Sequence, residues 1–394
     1  MKRKSYLIVS LFCFLFFYLG YTVQHTQIPN HSEISNRSEI SNDNIVNVES
    51  FKKKNSDSDD TLRIQRAIDY AKANKINTVL LESKTYKTSS PIVLYSDMKL
   101  TGENKAATII LSTGDIPTIV SEGYFSVGKG SSSIQIENIG IHPIGEGKKT
   151  KYAIEMVNTY NSSIKNCYIV ESERTKNDVG GIRFSKDSTY QGNHFVNAVR
   201  ECQLRNASIV MESTDSYIQS NEIWGHTRSF AIHLVKSSQF VTTNQIVGSS
   251  VHGGIWIEDT KDGRELQLIR ITDNFFDGSY DRVDSGAGIT GNKIKLSRIS
   301  SNDFWRQMDE GIKLSNSHST TITGNVFSNN NRRNAGKDDI LLDKCLACVV
   351  SENTFKRENM DTNKGSAIKS INLAENKNVF SNNVIYSTQY YNPN

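Results

Sequence analysis

The feature that most constrains the fold of this 394-residue chain is an asparagine that recurs from residue 166 to residue 383. Each copy begins the pattern Asn-x-(aromatic or Ile), and successive copies are 23 to 30 residues apart. The copies are Asn166, Asn193, Asn221, Asn244, Asn274, Asn302, Asn325, Asn353 and Asn383. Asparagine suits a tight bend, because it tolerates left-handed backbone angles and its side chain bonds the nearby backbone. The column therefore predicts one tight bend at the same place in every repeat.

A second column accompanies the asparagines, in which a small or acidic residue precedes an isoleucine. Its isoleucines are Ile154, Ile182, Ile209, Ile232, Ile255, Ile289, Ile312, Ile340 and Ile368. A period of this length with several short strands in each repeat is typical of the coils of a β-solenoid. A leucine-rich repeat would need leucines at set offsets and a helical half, and the sequence has neither. We therefore predict one all-β parallel solenoid of roughly ten coils over residues 59–394.

A single helix is predicted at the start of this domain. Asp59, Asp60 and Thr61 can cap a helix through side-chain oxygens that accept from free backbone N–H groups. Ile64, Ala67, Ile68 and Ala71 follow at helical spacing. A lone helix before a run of strands makes sense as a lid over the first open coil of a solenoid.

These motifs together resemble the N-terminal cap and coils of the pectate-lyase-like superfamily of single-stranded right-handed parallel β-helix proteins. The resemblance is carried by Asp59-Asp60-Thr61, Ile64-Gln65, Ala67-Ile68, Ala71, Val79-Leu80-Leu81, Thr85-Tyr86, Leu100-Thr101-Gly102 and the asparagine column. It implies a right-handed β-helix and a polysaccharide ligand, since the superfamily includes lyases, hydrolases, epimerases and phage tailspikes. Calcium as a cofactor is implied by this resemblance only. The motifs that separate polygalacturonases and pectate lyases from the rest are absent, so the reaction type stays open.

The N-terminus predicts export. Residues 1–4 form a basic cluster, and residues 5–23 are apolar and uncharged, about the ~20 residues that a spanning helix needs. Residues 24–58 are rich in Ser, Asn, Glu and Lys, which is typical of a disordered linker. We expect a single-pass protein of the cell membrane with its C-terminal domain extracellular. A cleaved signal followed by secretion is the first alternative, and a cytoplasmic protein is the second.

Charge and cysteine content exclude some partners. The 46 basic and 42 acidic residues give a net charge of +4, which is too balanced to indicate a nucleic-acid-binding protein. Cys345 and Cys348 form one CxxC motif, but no second ligand pair follows it, so no metal site is predicted. We interpret the cysteines of the domain as buried structural residues, and the oligomeric state stays open.

The isoleucine column also predicts an outward face, because the neighbours of an inward residue in a strand point outward. The first outward column is Glu155, Arg183, Val210, His233, Trp256, Thr290, Lys313, Leu341 and Lys369. Two residues further on, a second column is Val157, Ser185, Glu212, Val235, Glu258, Asn292, Ser315, Asp343 and Ile371. Charges of both signs and a tryptophan meet on this face between Arg183 and Lys313, which predicts a ligand groove there.

The loops that enter these coils add further candidates. The step from Ile255 to Ile289 is 34 residues long, and it carries the segment 277–284. Insertions in solenoids cluster on the binding face. Flat aromatic rings suit pyranoses, and arginines hold acidic groups. The predicted substrate-binding residues are Arg183, Trp224, His226, Arg228, Trp256, Trp305 and Arg306.

The candidate catalytic residues depend on the reaction. For a lyase or an epimerase, we predict His233 or Tyr280 as the base, and Arg282 or Lys313 as the cation that neutralises the substrate carboxylate. For a hydrolase, the candidate acids are Glu258, Asp281, Asp309 and Glu310. We favour an enzyme that cleaves or epimerises an acidic polysaccharide, and among these a lyase-type reaction over hydrolysis. The alternatives are a non-catalytic carbohydrate-binding or adhesive module and a structural surface protein.

Overall fold

The computed structural model describes residues 44–55, 57–113, 116–143, 152–171, 180–225, 230–248, 253–278, 286–330, 336–357, 365–372 and 377–387. The predicted leader at residues 5–23 and most of the predicted linker lie outside these ranges. Among the helices of the described ranges, none is long and apolar enough to cross a membrane.

Nearly all of the described chain coils through three parallel sheets, which it visits in the order sheet 1, sheet 2, sheet 3. Sheet 1 has 13 strands: Ile45–Asn47, Thr78–Leu81, Lys99–Gly102, Gln135–Glu137, Ser163–Lys165, Ala198–Arg200, Ser216–Gln219, Gln239–Thr242, Arg270–Thr272, Arg298–Ser300, Thr321–Thr323, Val349–Ser351 and Val379–Ser381. Sheet 2 has 12 strands: Thr85–Thr88, Ile109–Ser112, Gly140–Pro143, Tyr168–Val170, Gln203–Arg205, Glu222–Trp224, Gln245–Val247, Phe275–Asp277, Asp303–Trp305, Val326–Ser328, Thr354–Arg357 and Val384–Ser387.

Sheet 3 has 11 strands, and each of them begins with an isoleucine. They are Ile92–Leu94, Ile119–Ser121, Ile154–Val157, Ile182–Ser185, Ile209–Met211, Ile232–Leu234, Ile255–Ile257, Ile289–Asn292, Ile312–Ser315, Ile340–Asp343 and Ile368–Ile371. Two short pairs lie outside the three sheets, Ser131–Ser132 with Thr159–Tyr160 and Leu266–Gln267 with Ile294–Lys295. The predicted parallel β-helix is confirmed.

The core of the solenoid is built from side chains that stack coil upon coil. The column of isoleucines in sheet 3 is buried from Ile92 to Ile340. In sheet 2, the rings of Phe276, Phe304, Phe327 and Phe355 stack with centroids 4.7 to 4.9 Å apart. This separation equals the spacing of hydrogen-bonded strands, about 4.8 Å, so each ring lies directly on its neighbour. One continuous apolar core therefore runs along the axis.

The asparagine column marks the bend between sheets 1 and 2, and half of the predicted reason is confirmed, because the side chains bond the nearby backbone, as Asn302 Nδ2 does with the carbonyl of Ser300 at 3.0 Å. From Asn221 onward each asparagine points inward. Asn302, for example, donates from its backbone N–H and from Nδ2 to Oδ1 of Asn325, at 3.0 Å in both cases. Its Nδ2 also donates to the carbonyl of Ile271 on the preceding coil. The left-handed backbone angle falls on the residue before it, Ser301, with φ of 56°.

The first two predicted asparagines do not belong to this ladder. Asn166 itself takes the left-handed position, with φ of 50°, and the buried Cys167 follows it. In the next coil the ladder position is Cys202, whose N–H donates to Oδ1 of Asn221. Asn193 lies outside the bend. Both cysteines are small enough for this inward position, and their thiols donate to the carbonyls that an asparagine amide would use. Cys202 Sγ, for example, donates to the carbonyl of Arg200 at 3.2 Å and to that of Ile164 on the preceding coil at 3.7 Å.

The predicted cap is confirmed as an α-helix, Thr61–Ala73, which we call α1. It buries its predicted apolar stripe, and Gln65 donates to and accepts from the backbone of Val93 at 3.2 and 2.9 Å. The strand Ile45–Asn47 and the 3₁₀ helix Val48–Ser50 precede it, and a second 3₁₀ helix spans Glu122–Tyr124. Because Ile45–Asn47 pairs with sheet 1, the solenoid begins before residue 59 and takes in the end of the predicted linker.

Candidate functional site

The outer face of sheet 3 presents the two columns that the sequence predicts. The first runs in register from Glu155 to Lys369, one residue per coil. The second is aligned in the same way, for instance through Asn292, Ser315 and Asp343. Residues on adjacent coils are therefore about 4.8 Å apart, and those two coils apart are about 10 Å apart.

The exposure of this face differs from the prediction. Glu155, Glu212 and His233 are only 4 to 6% exposed, although they point away from the core. From Trp256 to Ser315 the outward residues are half-buried. The N-terminal coils of this face are thus covered, and the accessible part begins at Trp256.

A network of four charged side chains occupies the covered part. The Arg183 guanidinium donates to Glu212 Oε1 at 2.7 Å and to Glu155 Oε1 at 3.3 Å. Lys261 Nζ donates to the other oxygen of Glu212 at 2.7 Å. Burial by itself would raise the pKa of Glu212, but Arg183 and Lys261 lower it below its ordinary value. The network is therefore ionised and largely neutralises its own charge.

An aromatic cluster follows on the next coils. The rings of His233 and Trp256 stack at 4.4 Å with an interplanar angle of 10°, and Phe230 contacts both. Burial lowers the pKa of His233 to about 4. Its Nε2 lies 3.2 Å from the carbonyl oxygen of Glu258, which fits a neutral ring that donates there. His233 lies beneath Trp256 and supports its ring, and its burial argues against the predicted role as a base.

Glu258 is the carboxylate that this cluster orients. Trp256 Nε1 donates to Glu258 Oε2 at 3.1 Å, and Asn292 Nδ2 donates to Oε1 at 2.9 Å. Asn316 in turn donates to Asn292 Oδ1 at 3.0 Å, which fixes the amide. Each oxygen of this carboxylate therefore has its own side-chain donor. Glu258 is thus half-buried and oriented, and it lies at the N–H edge of an indole.

Lys313 lies two coils beyond Trp256 in the same column, with Thr290 between them. It is half-buried, and it forms no ion pair with any of the residues that the structure describes. An ammonium group without a carboxylate partner can receive an anionic ligand. We call the four side chains Trp256, Glu258, Asn292 and Lys313 the sheet-3 strip.

The long step between Ile255 and Ile289 contains two insertions rather than one. Ile255 to Arg270 spans 15 positions, whereas Ile232 to Phe240, the equivalent stretch of the preceding coil, spans eight. The segment from Arg270 to Ile289, which includes residues 277–284, is only four residues longer than the equivalent stretch of the preceding coil, Phe240 to Ile255. Most of the extra chain therefore follows Glu258 and carries Lys261 back over the face of sheet 3.

The turn in this first insertion is organised by a buried aspartate that the sequence did not single out. Asp259 accepts from the backbone N–H groups of Lys261 and Asp262 at 3.1 and 3.0 Å. Lys236 of the preceding coil donates to Asp259 Oδ2 at 3.2 Å. These contacts lower the pKa of Asp259 even though burial opposes them. The turn is therefore fixed to the sheet and holds Lys261 above Glu212.

The remaining predicted residues are distributed over two other places. Trp224 and Trp305 lie within strands of sheet 2, not in loops that border sheet 3, and Arg306 stacks over Trp305 at 4.3 Å. The structure therefore does not join them to the sheet-3 strip. Glu310 is buried just before sheet 3, with Lys337 Nζ 3.7 Å away, and Asp309 is half-buried beside it. His226, Arg228, Tyr280, Asp281 and Arg282 lie outside the described residues.

Several residues of the site escaped the sequence-based prediction. Glu212 and Asn292 stand in the second outward column, but nothing in the repeat distinguishes them from solvated positions. Lys261 has no repeat signal, because it lies in an insertion. His194 is buried, with Nδ1 2.8 Å from the carbonyl of Thr159, and burial lowers its pKa to about 4. For Glu212 and Asn292, the only available signal was their position in the second outward column.

Comparison with known proteins places the fold in a family. A family model described as periplasmic copper-binding protein (NosD) matches residues 118–330, more than half of the chain. The chain belongs to the NosD family. No curated protein sequence matches this NosD-family chain.

The solved structures that resemble it include an epimerase module and a phage tailspike. The A-module of mannuronan C-5 epimerase AlgE4 from Azotobacter vinelandii has a TM-score of 0.64 at 16% identity, over 87% of this chain and 96% of that one. A mutant tailspike protein of E. coli bacteriophage HK620 in complex with a pentasaccharide has a TM-score of 0.63 at 14% identity, over 87% and 67%. At these identities the likeness shows the parallel β-helix fold alone.

The name of the NosD family implies copper, and the described residues do not fit it. In the described ranges, no group of three or more His, Cys, Asp or Glu side chains is arranged to hold a metal ion. Cys345 and Cys348 are buried free thiols, and their Sγ atoms donate to the backbone carbonyls of Leu314 and Leu346. This agrees with the structural interpretation of the CxxC motif.

Proposed function

We propose that this chain acts on an acidic, uronate-containing polysaccharide by removing the proton at C5 of a uronate residue. The observation that carries the proposal is the sheet-3 strip. An oriented carboxylate, Glu258, accepts from the indole N–H of the half-buried Trp256, and Lys313, which has no ion-pair partner among the described residues, lies two coils beyond Trp256. The names of the two similar structures, an epimerase acting on a polyuronate and a tailspike with a bound oligosaccharide, support the same ligand class.

Each member of the strip has a distinct task in this proposal. The indole of Trp256 packs against one pyranose ring, as flat apolar faces do with sugars. Lys313 binds the carboxylate of the uronate and withdraws charge from it. Asn292 holds Glu258 in one orientation, so that its oxygen faces the substrate rather than solvent. A polysaccharide that runs along the coil axis can contact all four, since they span about 10 Å.

The chemistry follows from these positions. Glu258 accepts the C5 proton, and the electron pair left on C5 delocalises into the uronate carboxylate, where Lys313 stabilises the added negative charge. Return of a proton to the opposite face of C5 inverts the sugar and completes an epimerisation. Alternatively, that electron pair forms a double bond between C4 and C5, while the oxygen on C4 leaves with the bonding pair of the C4–O bond and takes a proton from water, which completes a lyase reaction. Both outcomes share the first step, so the strip serves either.

The test measures that shared step. The full-length chain is incubated with alginate and polygalacturonate in heavy water, and deuterium at C5 is measured by mass spectrometry with the ultraviolet absorbance of unsaturated uronate. We expect Glu258→Gln to lower C5 deuteration ~100-fold or more, because the amide cannot accept the proton. The matched control is Asp343→Asn, a carboxylate in the same outward column that accepts from Asn372. It should retain activity. Full activity in Glu258→Gln, or new reducing ends without deuteration and without absorbance, would overturn the proposal.

A second candidate is a non-catalytic polysaccharide-binding protein. The observation in its favour is the self-neutralised network of Glu155, Arg183, Glu212 and Lys261, which occupies groove positions without leaving a free acid or base. The same incubation separates the two candidates, because a binding protein retains the polysaccharide but introduces neither deuterium nor unsaturated uronate.

For location, we propose the cell membrane with the solenoid outside, based on the basic and apolar N-terminus.

A further inference from the structure

The outer face of sheet 1 carries a row of aromatic and cationic side chains that neither the strip nor the core uses. Tyr217 and Phe240 lie on adjacent coils and stack with ring centroids 5.0 Å apart and an interplanar angle of 15°. The guanidinium of Arg200 lies 5.7 Å from the Tyr217 centroid, and that of Arg270 lies 5.5 Å from the Phe240 centroid. Arg298 follows Arg270 on the next coil. We call these five residues the arginine face.

The three arginines of this face are exposed, and none forms an ion pair with a carboxylate of the described residues. Elsewhere on the same sheet, cations are paired across coils. Lys99 contacts Glu137 at 2.5 Å, and Lys165 contacts Glu201 at 3.5 Å. The excess of positive charge is therefore local to the arginine face and is not a property of the whole sheet.

A shallow depression extends from Phe240 over the coils of Arg270 and Arg298. Leu268 and Leu296 form one edge of it, 43 and 55% exposed, and their φ angles of 59° and 49° are left-handed. The equivalent residue is left-handed in neighbouring coils as well, for instance Ser238 and Ser319, so the repeat sets this bend and leucine occupies it in two consecutive coils. Hydroxyl groups of Thr272 and other side chains line the floor. The groove thus combines an apolar edge, two arginines, several hydroxyl groups and one carboxylate, that of Asp273.

We propose that the arginine face is a second binding site for acidic polysaccharide, separate from the sheet-3 strip. A row with one contact per coil repeats about every 4.8 Å, close to the length of one sugar residue. The aromatic rings offer flat faces to pyranoses, the arginines pair with carboxylates or sulfates, and the hydroxyl groups match sugar hydroxyls. Nucleic acid fits less well, because the net charge of the chain is only +4. This inference rests on the proposed function only for the choice of ligand, an acidic polysaccharide.

The test measures binding rather than turnover. Full-length chain carrying Glu258→Gln is compared with the same chain carrying Arg270→Gln and Arg298→Gln as well, using immobilised polygalacturonate and alginate at low and high salt. We expect the two arginine substitutions to weaken binding roughly 10-fold at low salt and to flatten its salt dependence. The matched control is Arg205→Gln, an exposed arginine 5.9 Å from the Trp224 ring on sheet 2, which should leave binding unchanged.

Three outcomes would overturn the inference: unchanged binding in the double variant, an equal loss in Arg205→Gln, or tighter binding of single-stranded DNA than of either polyuronate. Thermal melting of each variant excludes misfolding as the cause. Failure of the proposed function is measured separately, as the absence of both C5 deuteration and unsaturated-uronate absorbance with the unmodified chain. Either idea can therefore fail without the other.

Discussion

The outer faces of sheet 3 and sheet 1 both carry arginines beside aromatic rings, but these arginines differ in burial and in their carboxylate partners. On sheet 3, Arg183 is held between Glu155 and Glu212 and lies close to the ring of Tyr152. On sheet 1, Arg270 lies over Phe240 at a similar distance, but it is exposed and has no carboxylate partner among the described residues. Strand alternation sends both arginines outward in the same way. The segments that cross each face decide which arginine becomes part of a buried network.

The largest expected difference between the two faces is in stability. Replacing Arg183 with Ala leaves two buried carboxylates with less compensating charge, which should lower the free energy of unfolding by about 3–5 kcal/mol. Arg270→Ala on sheet 1 removes an exposed side chain and should change it by about 0.5 kcal/mol or less. Urea denaturation measures both. Equal effects would show that the sheet-3 network is as well solvated as the arginine face.

A second difference should emerge on acidification. Burial lowers the pKa of His233 to about 4 from its ordinary 6.5, so the unfolded chain binds this proton at a higher pH than the folded chain does. The stability that the neutral ring contributes is complete above about pH 6.5 and is lost as the pH falls towards 4, by roughly 2–3 kcal/mol. In His233→Phe the free energy of unfolding should fall less steeply over this window. Parallel curves for both proteins would contradict the burial of His233.

The smallest expected difference concerns two lysine pairs. Lys261 on the insertion reaches the buried Glu212, whereas Lys165 on sheet 1 pairs with the exposed Glu201 at 3.5 Å. Lys261 is itself half exposed, so we expect Lys261→Ala to cost only about 1 kcal/mol. Lys165→Ala should cost close to nothing. If thermal melting shows the opposite order, the insertion does not hold Lys261 over sheet 3.

The positions of the sheet-3 strip show how far a repeat carries prediction. Trp256, Glu258 and Lys313 could be placed on one face because the period of two within strands and the recurring isoleucine fix direction and register together. Neither signal shows whether an outward side chain is covered by another segment of the chain. His233 obeys the same pattern as Lys313, but only the structure shows that Phe230 and Trp256 enclose it. This burial, which the pattern does not show, argues against its predicted role as a base.

The sequence by itself determined the parallel solenoid, the bend between sheets 1 and 2, the capping helix and the outward columns, since each depends on a local period repeated many times. Tertiary structure alone decided that Asn302 bonds its neighbours as an inward ladder, and that Lys261 folds back onto Glu212. It also decided that Trp305 faces away from the strip. Contacts made by insertions, and the burial that follows from them, have no repeat to reveal them. They depend on which segments meet once the coils are stacked.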